Sequence, residues 1–334
     1  VYIIADTDIY KQSLYHVIMN WSYTSGSYDQ ALYDRVQEKK ALLDNRRPLP
    51  ATAVSRLKEE LRLYHTYNSN AIEGSTLSLK ETKLIVEEGI TIGGKPLREH
   101  LEAVGNSKAF ELIENLANSH SGIDHEIVQE LHSLVSMGQQ VDSGRYRTAN
   151  VRITGAGFTP PDFSKIVPLM DQCMEKVNKG HNDPILTAAM CHHWFVIIHP
   201  FSDGNGRVAR LISNLYLMQH GYPPLVMRKD RRKQYYECLR QADSGALDLL
   251  IDFILRAEDE SLSLFLSVFG GDDQLIPLKQ LALRSSYSQE YLSLRARQGR
   301  LEAVKLDNVW HSSLSALNRY NDRYSRPRPE KQLH

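Results

Sequence analysis

Apolar residues recur at intervals of three and four along most of this chain. In residues 51–67 they fall at Val54, Leu57, Leu61 and Tyr64, which draws one stripe along a helix. The pattern repeats over 97–118, behind Pro96, and over 124–135, where Asp124 is placed to cap the first turn. Further helices are predicted over 168–178, 184–198, 207–220, 229–241 and 247–269. One stretch breaks the rhythm. Residues 150–161, NVRITGAGFTPP, set Val151, Ile153 and Phe158 around Gly155 and Gly157 and end on two prolines. That composition predicts a short β-hairpin, or flap, on a helical body.

A second break, Gly270-Gly271-Asp272-Asp273, marks a change of pattern and of charge. Short helices are predicted over 277–283 and 289–297, with a turn at 285–288 between them and Gly299 closing the second. Two short strands follow at 301–304 and 308–311, around Asp307-Asn308, and a last helix at 312–320. Between Gln274 and Arg328 there are ten Lys or Arg against four Asp or Glu, while the whole chain balances 40 against 40. Helix, turn, helix, hairpin and helix with positive charge describe a winged helix-turn-helix. The run YSQEYLSLRARQGRLEAVKLDNVWHSSLSAL resembles excisionase- or MerR-like DNA-binding modules. That resemblance makes 289–297 the recognition helix, with Gln289, Ser293, Arg295 and Arg297 as candidate contacts. Docking to protein rather than DNA is the alternative use of such a module.

Composition narrows the class. A length of 334 residues suits about two domains, and no run approaches the ~20 apolar residues of a membrane span. Cys173, Cys191 and Cys238 stand far apart with no CxxC pair, so a disulfide framework or zinc–thiolate site is not expected. A reducing, cytoplasmic compartment is. The N-terminal run carries Asp6, Asp8 and Lys11 among its apolar residues and does not read as a signal peptide. The first methionine is Met19, and residues 1–18 are expected to be a leader or a start-site artefact.

The candidate chemistry lies in residues 197–210. An apolar helix ends at His199, Pro200 forbids its simple continuation, and Gly204 and Gly206 allow a tight turn before the next helix. Backbone N–H groups of Gly204, Asn205 and Gly206 at a helix N-terminus form an anion seat suited to phosphate. Arg207 and Arg210 lie three apart on one helix face, and two guanidinium forks suit a polyphosphate. Asp203 is placed to hold Mg²⁺, which takes one or two carboxylates beside phosphate oxygens. His199, at the loop entrance, is placed as a general base. No Walker loop or kinase signature is present.

HPFSDGNGRVAR, residues 199–210, resembles the Fic motif HxFx(D/E)GNGRxxR at every defined position. The overall order resembles that family over about residues 64–269. The resemblance implies a mainly α fold, a Fic-type helical bundle with a small β-hairpin flap. It also implies transfer of AMP from ATP to a Ser, Thr or Tyr hydroxyl of a target protein. His199 would deprotonate the hydroxyl, Phe201 would pack into the core and Asp203 would hold Mg²⁺ on the α- and β-phosphates. Gly204, Asn205 and Gly206 would cradle phosphates, Arg207 would support the β-phosphate and Arg210 would bind the γ-phosphate. Ser69-Asn70-Ala71-Ile72-Glu73-Gly74 resembles the inhibitory motif (S/T)xxxE(G/N), whose glutamate would compete with the γ-phosphate for Arg210. Residues 150–161, with Gly144-Arg145-Tyr146-Arg147 before them, resemble the flap that aligns the target by strand addition. Tyr235-Tyr236 and Ala242-Asp243 resemble the adenosine-contacting segment, although many members carry Asn where this chain has Asp243.

Bland alternatives stand beside some of these residues. Tyr235 and Tyr236 would serve equally as core aromatics. His192 and His193 lack zinc spacing and are expected to pack or line the helix before the loop. The expected organisation is a leader with helices (1–50), an inhibitory helix segment (51–96), a Fic domain (97–269), a winged helix-turn-helix (274–322) and a disordered tail (323–334). The expected partners are ATP, a target protein and a second copy in a homodimer, with DNA or protein contact through the winged helix and no membrane. On the same site, removal of AMP or transfer of another phosphate-containing group is the enzymatic alternative. A nucleotide-sensing DNA-binding regulator is the non-enzymatic one.

Overall fold

A computed structural model describes residues 28–119, 121–139, 142–153, 158–180, 183–306 and 308–324. The expected leader, residues 1–18, and the tail from 325 lie outside them; Arg323 and Tyr324, assigned to that tail, instead close the last helix. The helices are α1 (Gln30–Asp44), α2 (Ala51–Ile72), α3 (Leu79–Glu88), α4 (Leu97–Ala117), α5 (His125–Val135), α6 (Ile166–Lys179), α7 (Pro184–Ile198), α8 (Asn205–Gln219), α9 (Arg232–Asp243) and α10 (Asp248–Ser267). After them come β1 (Ile276–Pro277), α11 (Leu278–Ala282), α12 (Gln289–Arg297), β2 (Val304–Leu306), β3 (Val309–Ser312) and α13 (Leu314–Tyr324). Contacts divide the chain into two compact units. One holds Lys58–Glu258 with the described residues before Arg35; the other holds Arg35–Leu57 and the chain from Asp259.

In the first unit α7 is apolar on every side and almost wholly buried, from Ile185 to Ile198. A helix without a polar face belongs at the centre of a bundle. Asp183 caps it by accepting from the Ile185 N–H, with Pro184 in the first turn. α8 packs against α4, α5 and α7, and α6 packs on α7. On α4, a Cβ added at Gly105 would lie 2.0 Å from the Leu134 carbonyl of α5, so only glycine permits this approach. Asp124 caps α5 through the Ile127 N–H, as its position suggests. Among the described residues no helix is long and apolar enough to cross a membrane.

Before residue 259 the sequence pattern and the structure differ most at three places. The helix expected to end at residue 67 runs on to Ile72, through Asn68, Ser69 and Asn70. These residues favour turns in isolation, but here they are buried and tertiary contacts hold them helical. α3 escapes an apolar reading but is written in its caps: Ser78 and Glu81 form a capping box, and Gly89 ends the helix at φ 67°. In the expected flap, residues 150–153 and 158–161 form no strand, and 154–157 lie outside the described residues. The base is tied by side chains instead: Asn150 donates from Nδ2 to Asp162 and accepts from the Phe163 N–H.

In the second unit the helices and paired strands fall close to their expected places. The two strands of the hairpin sit one to three residues later than expected, because pairing of Val304 with His311 and of Leu306 with Val309 sets the register. A third strand, β1, was not foreseen; it pairs antiparallel with β3 and gives the order β1-β3-β2. Ile276, Leu278, Leu281, Leu292, Leu301, Leu317 and Tyr320 form the core beneath this sheet. Buried ions adjoin it. Asp259 meets Arg35 at 2.8 Å and Lys39 at 2.7 Å, and Glu302 meets Lys39 at 3.0 Å and Arg319 at 2.8 Å.

Candidate active site

The loop between α7 and α8 is held from within. His199 ends α7 in the left-handed region, at φ 50°. Asn205 folds its amide back on the loop, accepting from the Phe201 N–H at 2.9 Å and donating to the Phe201 carbonyl at 2.8 Å. Phe201 is fully buried and stacks on His132, with ring centroids 3.7 Å apart. Arg147 grips the loop from outside. It donates to the His199 carbonyl at 2.8 Å, and its own N–H reaches the Pro200 carbonyl at 2.9 Å. The same guanidinium donates to the carbonyls of Ala149 and Pro161, the two ends of the flap segment.

His199 donates from Nδ1 to the Val196 carbonyl at 3.3 Å, which leaves Nε2 to accept a proton. Burial pulls its imidazole down to about 4, so the ring is neutral at neutral pH. The Asp203 carboxylate is half exposed. One oxygen accepts from the Gly204 N–H, and the other lies 3.2 Å from Arg98 Nη2. Arg207 is buried, with Nη1 on the Val135 carbonyl at 3.2 Å and on Glu102 at 3.3 Å.

Arg210 is also buried. Its Nε donates to Ser69 Oγ at 2.9 Å, and its Nη2 to the Ser69 carbonyl at 3.0 Å and to Glu73 Oε1 at 2.7 Å. Glu73 lies directly over the first turn of α8: a Cβ added at Gly206 would stand 2.4 Å from Glu73 Oε1. A carboxylate there meets the positive end of the helix as well as the guanidinium. Gly74 follows at φ 105°, a conformation that favours glycine.

The aromatic pair divides. Tyr235 is buried and its hydroxyl lies 2.8 Å from His192 Nε2. The Ser213 hydroxyl already donates to the Ala209 carbonyl, so it accepts from His192 Nδ1 and Tyr235 donates to Nε2. Tyr236 is exposed, with the Arg232 guanidinium 4.8 Å above its ring. Asp243 pairs with His193 Nε2 at 2.9 Å. The two histidines thus hold Tyr235 and Asp243.

A family model for the Fic/DOC family matches residues 122–217. The solved structure of Fic-1 from Caenorhabditis elegans superposes with a TM-score of 0.64 at 30% identity, covering 72% of each chain. The chain belongs to the Fic/DOC family. A Fic-domain signalling protein from Bacteroides thetaiotaomicron shares the fold, with a TM-score of 0.65 at 24% identity over 72% of this chain and 98% of its own. Among relatives of this Fic protein, "Protein adenylyltransferase fic-1" of C. elegans is 32% identical over 68% of this chain and 47% of its own. "Protein adenylyltransferase Fic" of Nematostella vectensis is 33% identical over 72% of this chain and 56% of its own. The chain therefore spans about half the length of the curated relatives it matches.

The Fic motif in this chain does not contain its own supports. His132, Arg147, Arg98 and Glu102 all touch the loop or its arginines, and none was singled out in the sequence for that role. His132 and Glu102 each carried a signal: a polar residue on the buried side of a helix needs a partner.

Proposed function

We propose that this Fic protein transfers AMP from ATP to a hydroxyl of a target protein. The carrying observation is the convergence of a neutral His199, the Asp203 carboxylate and two buried arginines on the N-terminal turn of α8. In this reading His199 Nε2 takes the proton of the Ser, Thr or Tyr hydroxyl. That oxygen bonds to the α-phosphorus of ATP, the bond to the β-phosphate breaks, and pyrophosphate leaves. Arg207 and Arg210 neutralise the phosphates, while the first turn of α8 supplies backbone donors. The donors fit Mg²⁺: Asp203 offers one hard, half-exposed carboxylate beside the phosphate seat, which suits an ion that keeps water and phosphate oxygens. Bound there, Mg²⁺ would add positive charge at the α- and β-phosphates. Tyr236 and Asp243 border the adenosine side.

Glu73 is the proposed inhibitor, with Ser69 and Gly74 shaping its approach. It holds the Arg210 donor that a γ-phosphate would use, and acceptors compete for a guanidinium fork. The segment ending at Gly74 is then an inhibitory helix N-terminal to the catalytic core. The proposed setting is reducing and cytoplasmic, supported by three free, buried cysteines. A homodimer belongs to the same reading on the family resemblance alone. Residues 274–322 form the proposed winged helix, for which the order of α11, α12, the β2–β3 ribbon and α13 is the support. On α12, Arg295 lies over Tyr291 and donates to Gln298, which favours docking to protein over contact with DNA. A gel shift with duplex DNA at low salt would overturn that preference.

Wild type, Glu73→Gly and His199→Ala, incubated with ATP and Mg²⁺ and weighed as intact chains, test the scheme. An added AMP on the Glu73 variant alone is expected. An added phosphate would move the reaction to another phosphate-group transfer, and equal labelling of the His199 variant would remove the proposed base. Removal of AMP is the second reading, because Glu73 lies at the same helix turn and would there activate a water; release of AMP from a labelled chain that depends on Glu73 would establish it.

A further inference from the structure

His132, near the end of α5, is 1% exposed and uses both ring nitrogens. Nε2 lies 3.1 Å from the carbonyl oxygen of Asp203, which can only accept, so Nε2 carries the hydrogen. Nδ1 accepts from the Gly144 N–H at 3.0 Å. Only the neutral Nε2–H tautomer makes both bonds. The ring face lies 3° from parallel to Phe201, and a Cβ added at Gly204 would come 3.4 Å from His132 Cδ2.

The two bonds lead to different places. On the donor side is the backbone of Asp203, in the loop assigned above to phosphates and cation. On the acceptor side is Gly144, which turns at φ 71° into Arg145, Tyr146 and Arg147. Arg147 in turn holds the carbonyls of Ala149 and Pro161 at the two ends of the flap segment. One buried ring thus joins the nucleotide side of the site to the base of the flap.

We infer that His132 is a positioning residue, which sets the Asp203 loop through its donor and the flap base through its acceptor. The inference rests on the functional reading above, and the test separates the two. In a full-length Glu73→Gly parent, His132→Gln places an N–H donor where Nε2 stood, and His132→Asn places an acceptor where Nδ1 stood. His132→Phe keeps the stack and removes both bonds. ATP affinity is read by calorimetry with Mg²⁺ present, and the flap base by hydrogen exchange of residues 144–153.

One hydrogen bond lost corresponds to about three- to tenfold. His132→Asn is expected to weaken ATP binding by about that factor and to leave flap-base exchange within about twofold. His132→Gln is expected to speed flap-base exchange by about the same factor and to leave ATP binding within about twofold. His132→Phe should show both losses with its cooperative melt retained. Parallel changes in both readouts for the Asn and Gln variants would reduce His132 to general packing and overturn the inference. So would a Phe variant that matches the parent in both. A parent that binds ATP but adds no AMP would instead overturn the functional reading, while binding and exchange would still decide the role of His132.

Discussion

Asp259 and Glu302 each meet two cations, and Lys39 is shared between them. Around the loop in the other compact unit the buried polar groups are less completely matched. Arg207 Nε, Asn70 Nδ2 and Asn106 Oδ1 have no hydrogen-bond partner among the described residues. A buried donor or acceptor left unmade costs about 1–3 kcal/mol. The saturated cluster is what a fold needs in order to bury charge. The unsaturated one is an arrangement that a fold alone would not favour, and it surrounds the residues proposed to hold a triphosphate. Buried charge is therefore saturated in one unit and only partly matched around the candidate site in the other.

The largest test of that contrast is chemical. In the Glu73→Gly parent, His199→Ala is expected to lower AMP labelling by about 10²–10⁴ while stability is unchanged. Time courses by intact mass, with melts alongside, measure both. A comparable loss of stability would mean that the loop is structural too. Lys39→Met should do the reverse. It removes a cation from two buried carboxylates and is expected to cost about 3–5 kcal/mol, read from hydrogen exchange in α11–α13. Labelling per folded molecule should hold.

Acid should separate the units. Burial lowers His65, His132 and His192 to about 3, 4 and 3, below their ordinary 6.5. The unfolded chain then binds protons first as pH falls. The stability these rings contribute is complete above about 6.5 and is lost between there and about 4 for His132 or about 3 for His65 and His192, at roughly 1 kcal/mol per pH unit for each ring. Lys39 and Arg35 hold Asp259 below its ordinary 3.8, and Lys39 and Arg319 hold Glu302 below its ordinary 4.5, against burial that works to raise both. Their stabilisation is present above those values and fades only below about pH 4. Amides of α5 and α7 should therefore lose protection between pH 6.5 and 4 while those of α11–α13 keep it; the opposite order would break the comparison. The smallest effect is at the surface. Arg98→Ala removes the half-exposed pair with Asp203 and a 2.8 Å bond to Glu102, which keeps Arg207 and Gln139, and is expected to change stability by about 1 kcal/mol, measured by chemical denaturation.

Much of the candidate site was readable because it is local. His199, Asp203, Gly206 and Arg210 fall within a few turns of chain, and the glycines and proline that bend the loop lie among them. The Glu73 partner of Arg210 was implied by the family resemblance rather than by pattern. The flap misled because alternating apolar residues suggest a ladder, whereas Asn150 and Arg147 tie its base through side chains. The end of α2 misled because Asn68 and Asn70 lower helix propensity, and burial overrides that preference.

Helix periods, caps and the turn between α7 and α8 were determined by the sequence itself, since each depends on neighbours a few positions away. Only the tertiary structure decided which group each buried polar atom meets. Arg210 finds Glu73 from 137 residues away, His132 bridges Gly144 and Asp203, and Asp259 meets Arg35 and Lys39 from the first helix. Such contacts arise from the packing of helices against one another, and no local spacing encodes them.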